Sequence, residues 1–149
     1  LNFPNSYFVH RDYHSQNLLA FGNKIGVIDS QDAMIGNPAY DLVSLIDDVR
    51  IKTSSKLKNE ILEYYLKNFK GDRKNFLEDF NTLSVQRTMK IIGIFSRLFK
   101  RDNKKKYTYL IPYAWKLLEM RIKTGKFKNL KKVLDTYLAQ NIRKRTIYK

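Results

Sequence analysis

The sequence contains no cysteine, and only three prolines and six glycines in 149 residues. Without Cys there is no disulfide framework and no thiolate metal site. No apolar run approaches the roughly 20 residues needed to cross a bilayer, so no membrane partner is expected. The opening residues, Leu1-Asn2-Phe3-Pro4, have no basic stretch followed by an apolar one and do not read as a secretory signal. They also lack an initiator Met, which leads us to expect a longer parent protein. These absences leave a cytoplasmic location as the default. Internal repeats and low-complexity tracts are missing as well.

Glutamate is absent from the first third. Residues 1–50 hold three basic residues and six carboxylates, all of them Asp, while the remainder holds the other 26 basic residues and eight acidic ones. The total charge of +15 is therefore concentrated in the later part. Asp is the short carboxylate suited to fixing a metal ion or a reacting hydroxyl. The basic remainder reads either as a Lys-rich solvated surface or as a face for anionic partners. With 43% apolar residues, the chain can bury a sizeable core, and its length suits one compact domain.

Coarse patterning gives an α+β chain, mostly helical after a short β-hairpin. Tyr7-Phe8-Val9 is a brief β-prone run. Asn17-Leu18-Leu19-Ala20-Phe21 and Lys24-Ile25-Gly26-Val27-Ile28 flank Gly22-Asn23, a hairpin turn signal. This pairing brings Asp12, before one strand, close to Asp29, after the other. Gly36-Asn37-Pro38 then reads as a helix start, with Asn37 as N-cap and Leu42, Val43, Ile46 and Val49 facing inward. Ser54 or Ser55 caps a second helix with Leu57, Ile61, Leu62, Tyr65, Leu66 and Phe69 inward, and Gly71 ends it. A long helix, or two in series, is expected at about 74–99. Two more are expected near 107–124, where Pro112 is a candidate true start, and 130–143, with Gly125 between them. The basic tail 143–149 is expected to fray.

The segment His10-Arg11-Asp12-Tyr13-His14-Ser15-Gln16-Asn17 has the form H-R-D-x-x-x-x-N, the pattern of kinase catalytic loops. Phosphoryl transfer needs a carboxylate to orient the attacking hydroxyl and an amide oxygen on a metal ion, and one short loop supplies both. Asp29, twelve residues after Asn17, stands where a second metal ligand belongs. The candidate roles are Asp12 as catalytic base, and Asn17 and Asp29 on Mg²⁺-ATP. His10 reads as a loop-bracing residue. Asp41, among Tyr40, Leu42 and Val43, reads as a buried carboxylate bracing the loop through its backbone N–H groups. Asp32 either helps hold metal or substrate, or caps the following turn. His14 either touches substrate or is an ordinary hydrogen-bonded His. His10 and His14 have the i, i+4 spacing of a zinc helix, but neither a helix nor a Glu accompanies them.

These residues resemble the aminoglycoside phosphotransferase and choline kinase superfamily, with its H-x-D-x-x-x-x-N, I-D-x-x-D and Y-D-[LIV] motifs. Here the motifs are His10 to Asn17, Ile28 to Asp32, and Tyr40-Asp41-Leu42. Protein kinases fit less well: Ser30-Gln31 stands where they carry F-G, and too few residues separate Asp29 from Asp41 for an activation segment. A closer likeness is to bacterial N-acetylmuramate/N-acetylglucosamine 1-kinases, extending over Gln86-Arg87, Lys90, Gly93-Ile94-Phe95, Arg97-Leu98, Arg101-Asp102, Lys104, Tyr107 and Pro112. One departure is Ser30, where that family carries Phe.

The resemblance implies a protein-kinase-like C-terminal lobe over residues 1–149, with Mg²⁺ and ATP as cofactors and a small-molecule sugar as substrate. It also implies an N-terminal kinase lobe as a partner, because no phosphate-covering loop or ATP-binding Lys motif occurs here; this chain alone is expected to turn over little. Arg87, Arg97 and Arg101 become candidates for contacts to anionic substrate groups, against the alternative of a solvated basic face. Two rivals remain. One is an aminoglycoside or choline-type kinase, whose cationic substrates want acidic pockets. The other is a non-catalytic RNA-binding or adaptor domain, although no RNA-binding signature is present, so nucleic acid is not expected.

Overall fold

The computed structural model describes residues 1–123 and 125–145. Two compact units divide it, Leu1–Ser84 and Val85–Lys149. Among the described residues, no helix is long and apolar enough to cross a membrane.

The first unit begins with four short strands. β1 (Tyr7–Val9) pairs antiparallel with β4 (Met34–Gly36), and β2 (Leu18–Phe21) pairs antiparallel with β3 (Lys24–Val27). The β2–β3 hairpin lies where the Gly22-Asn23 signal puts it, and Gly22 takes the positive φ of 56° that the tight turn needs. β4 was not legible in the sequence, being three residues without alternation. Its Gly36 faces β1 so closely that a Cβ would stand 2.6 Å from Val9 Cγ2.

Three helices of this unit pack together: α1 (Tyr40–Ile46), α2 (Ser55–Asn68) and the first part of α3 (Arg73–Asp102). Leu42, Val43, Ile46, Leu66, Phe76, Phe80 and Leu83 form their common core. An aromatic series of Phe3, Phe69, Phe76 and Tyr65 extends it, with ring centroids 4.7–5.4 Å apart along the row. Ser54 caps α2 by accepting from the Leu57 N–H at 3.2 Å. Leu57 itself is exposed, contrary to expectation, because it lies in the first turn on the outer side.

The expected start of α1 is also displaced. The helix begins at Tyr40, with Asn37 and Pro38 in the turn before it. Asn37 is engaged at both ends: its Oδ1 accepts from Ala39 N and its Nδ2 donates to buried Asp79 at 2.7 Å. Asp79 further accepts from the backbone N–H groups of Asn2 and Phe3, at 2.7 and 2.9 Å. Burial pushes the Asp79 carboxyl up, but these backbone donors and the Asn37 amide together hold it below its ordinary value.

The second unit contains the rest of α3, a 3-10 segment at Lys105–Leu110, α4 (Ile111–Arg121), α5 (Lys128–Tyr137) and α6 (Gln140–Arg143). Pro112 does mark the start of α4, where its missing N–H costs nothing. Thr124, the expected end of that helix, lies outside the described residues. The single helix expected at 130–143 is two, broken at Leu138 and Ala139. Arg143 folds back there, donating from Nε to Leu138 O at 2.6 Å. Far from fraying, Arg143 is 2% exposed, pairs with Glu119 and Asp135, and lies over the Trp115 ring. The expected fraying of the tail beyond 145 lies outside the described residues.

Candidate functional site

The loop from His10 to Asn17 leaves β1 and enters β2. Its shape is set at Arg11, whose φ of 72° is rare for a side chain other than Gly. This kink directs two successive backbone N–H groups to one carboxylate: His10 N donates to Asp41 Oδ2 at 2.6 Å and Arg11 N to Oδ1 at 2.9 Å. Asp41 lies in the first turn of α1, where the helix dipole also favours a negative charge. His10 ties the loop to the opposite side of the hairpin, its Nε2–H donating to the Ile28 carbonyl at 2.9 Å. Tyr65 lies close by and donates to the Pro38 carbonyl; burial, then nearby Tyr7 and Asp41, raises its phenol.

Asn17 occupies the other end of the loop, in a 3-10 turn at Ser15–Asn17. Its backbone carbonyl accepts from Ile28 N, continuing the ladder in which Leu18 faces Val27. Its side-chain Nδ2 donates to the Asp12 carbonyl at 2.9 Å and approaches Asp29 Oδ2 at 3.4 Å. With Nδ2 committed, Oδ1 is the amide atom left to accept a cation. Asp29 takes a φ of 68°, a second strained backbone at the same locus, and Gln31 Nε2 donates to its Oδ1. Asp12 is half-buried, and among the described residues its carboxylate has no hydrogen-bond partner.

Asp12, Asn17 and Asp29 thus converge, together with His10 and Asp41. Asn17 and Asp29 offer hard oxygen donors, which fit Mg²⁺. Among the described residues there is no cluster of three His, Cys, Asp or Glu able to hold a metal alone. A two-ligand site completed by phosphate oxygens is how Mg²⁺ sits in nucleotide enzymes.

The other candidates are placed differently. The Asp32 side chain is exposed; its backbone carbonyl accepts from Arg11 Nη1 at 3.2 Å, and the turn beside it closes through Ser30 O and Ala33 N. His14 is buried rather than presented to solvent. Arg87, Arg97 and Arg101 lie on α3 in the second unit. Arg87 is buried and Arg97 exposed. Arg101 pairs with Asp102, whose hydrogen bonds raise the guanidinium further.

Sequence reasoning missed two carboxylates at the end of α1. Asp47, 2% exposed, accepts from Lys58 Nζ at 2.9 Å and Ser84 Oγ at 2.6 Å. Asp48, equally buried, accepts from the Ser15 hydroxyl at 3.1 Å and from Arg50. A signal for Asp47 existed, since it falls one turn after inward Val43.

A family-level comparison agrees with this geometry. Residues 3–77 match the family described as phosphotransferase enzyme family. The chain belongs to that family. The phosphotransferase match covers the strands, the catalytic-type loop, α1 and α2, and the mostly helical chain with its small hairpin is a kinase-like lobe. Curated relatives extend the likeness. An N-acetylmuramate/N-acetylglucosamine kinase of Caulobacter vibrioides is 34% identical over 143 residues, which is 92% of this chain and 39% of the relative. Proteins with that name from Neisseria meningitidis and Pseudomonas aeruginosa are 36% and 33% identical, over 70% and 77% of this chain. The chain spans 34% and 36% of those two, so each relative is more than twice as long as the region matched.

Proposed function

We propose that the gene product is an ATP-dependent sugar kinase that transfers the γ-phosphate to a hydroxyl of N-acetylmuramate or N-acetylglucosamine, at the anomeric position. The carrying observation is the bridge made by Asn17, whose amide joins the Asp12 backbone to the Asp29 side chain. On this reading Asp12 serves as the base, and Asn17 Oδ1 and the Asp29 carboxylate serve as hard oxygen ligands for the metal. In this reading Asp12 orients the sugar hydroxyl and accepts its proton as the oxygen bonds to phosphorus, and ADP leaves. Mg²⁺, held by Asn17 Oδ1 and Asp29, would offset the charge on the phosphate oxygens. Asp32 stays a candidate for metal or substrate, His14, Arg87, Arg97 and Arg101 stay candidates for substrate, and His10 and Asp41 hold the loop. The names of the relatives support the sugar; cell-wall recycling in the cytoplasm is the setting this reading assigns to the reaction.

The reading includes an N-terminal lobe that completes the nucleotide clamp, making this chain the C-terminal lobe. Its support is the β2–β3 hairpin, where Phe21, Ile25 and Val27 are exposed as a lobe interface would require.

The test is an ADP-release assay on the natural full-length gene product with Mg²⁺-ATP. Acceptors are N-acetylmuramate, N-acetylglucosamine, kanamycin and choline. Turnover with an N-acetylated sugar, lost in Asp12→Asn, supports the proposal. Turnover with kanamycin or choline alone overturns the substrate. Failure to bind Mg²⁺-ATP overturns the enzyme and favours a binding domain.

A further inference from the structure

Asp48 is difficult to explain as part of α1. It lies just past the helix's C-terminal end, where the dipole disfavours negative charge, and it is 2% exposed. Burying a carboxylate there is costly unless its oxygens are well bonded. They are: Oδ1 accepts from Arg50 N at 3.0 Å and Arg50 Nη1 at 3.2 Å. Oδ2 accepts from the Ser15 hydroxyl at 3.1 Å. Arg50 offsets the charge locally, so the bond that reaches out of this segment is the one to Ser15, 33 residues away in the chain.

Ser15 is not an arbitrary partner. It opens the 3-10 turn that ends at Asn17. That turn closes by Asn17 N donating to His14 O, and His14 N donates to Asp12 O, both at 2.9 Å. A shift of Ser15 therefore moves Asn17 against Asp12. Asp41, at the start of the same helix, grips only the first half of the loop, at His10 and Arg11.

We infer that Asp48 is a positioning residue for phosphoryl transfer: through Ser15 it fixes the 3-10 turn that sets Asn17 beside Asp12 and Asp29, while Arg50 holds its charge in place. The two ends of α1 thus clamp the two halves of one loop. The inference rests on the kinase reading for its catalytic consequence, but the clamp itself is a property of the chain and can be measured without substrate.

The test uses the full-length gene product carrying Ser15→Ala, Ser15→Thr, Asp48→Asn or the Ser15→Ala/Asp48→Asn pair. Ser15→Ala removes one hydroxyl from a half-exposed position and spares the fold even if Asp48→Asn does not. Without ligands, hydrogen exchange at the His14 and Asn17 amides is expected to rise about tenfold in Ser15→Ala and Asp48→Asn, and to stay near wild type in Ser15→Thr. Exchange in α4 should not change. In turnover, kcat should fall about tenfold with the acceptor KM within about twofold, and the paired variant should be no worse than either single one. Unchanged loop exchange in Ser15→Ala overturns the inference, as do additive effects in the pair. Wild type inactive on every acceptor would sink the kinase reading alone, and the exchange arm would still decide the clamp.

Discussion

Asn17 Nδ2 stands 3.4 Å from Asp29 Oδ2, although twelve residues of hairpin separate the two. The register that seats Leu18 opposite Val27 makes this approach unavoidable. A one-residue slip would send one of the two side chains to the opposite face. Both residues should therefore act on the same ion. Asn17→Ala and Asp29→Asn are each expected to raise the Mg²⁺ concentration for half-maximal turnover about tenfold or more. A Mg²⁺ titration at saturating ATP checks this, and an unchanged midpoint in both variants would refute a shared site.

Asp12 makes no protein hydrogen bond among the described residues, so its carboxylate contributes little to folding. Asp12→Asn should lower kcat by roughly 10²–10⁴-fold, the usual range for a lost general base. Thermal melting should stay within a degree or two of wild type. A large fall in melting temperature would instead assign Asp12 a structural role.

Asp41 satisfies two backbone donors with two oxygens. Asn at this position can accept through one oxygen only, so one partly buried N–H is left without its partner. Asp41→Asn is expected to cost about 1–3 kcal/mol in urea unfolding, with activity lost alongside. Asp41→Ala should cost more, because both donors are abandoned. Equal stability of Asp41→Ala and wild type would contradict the bracing geometry.

The Lys58–Asp47 pair is nearly shielded from water, with side chains 10% and 1% exposed. Lys58→Met removes the cation and leaves the carboxylate buried. A loss of about 3–5 kcal/mol is expected, and changing Asp47 to Leu in the same background should recover much of it. Chemical denaturation of the four proteins closes the cycle. Full additivity would mean that the pair does not interact.

Asp79 gives the first unit an acid-sensitive tether. Its folded value lies below its unfolded one, so it contributes stability that is fully present above the unfolded carboxylate range, near pH 4. That contribution is lost as pH falls through the depressed folded value, when protonation weakens the hold on Asn2, Phe3 and Asn37. Asp79→Asn should be less stable than wild type at pH 7 and should show a flatter decline as pH falls below the ordinary carboxylate value of about 4. Parallel pH profiles for the two proteins would exclude Asp79 as a contributor.

The catalytic-type loop was readable from sequence because its determinants are local. Asp12 and Asn17 sit on one short loop, Gly22-Asn23 dictates the hairpin, and the hairpin carries Asp29 back. The inward face of α1 was readable as well, since Leu42, Val43 and Ile46 repeat at helical spacing and are buried; Val49 is buried too but lies in the turn beyond the helix's end at Ile46. The misreadings arise where a distant partner decides. Asn37 reads as the N-cap, but the helix begins only at Tyr40; Asn37 Oδ1 closes the turn before it onto Ala39 N, and Nδ2 is held by Asp79, 42 residues on. Arg143 looks like a frayed tail until Glu119, Asp135 and Trp115 surround it.

By itself, the sequence determined the chemistry on offer: residue types at fixed short spacings, a hairpin to join them, and apolar faces to support them. Period and turn chemistry act within a few residues and need no knowledge of the fold. Only the tertiary structure decided which partners the buried carboxylates after α1 find. Asp47 and Asp48 are neighbours in the chain, yet one accepts from Lys58 and Ser84 while the other accepts from Ser15. Each bond depends on where a remote donor arrives, and that is fixed by packing.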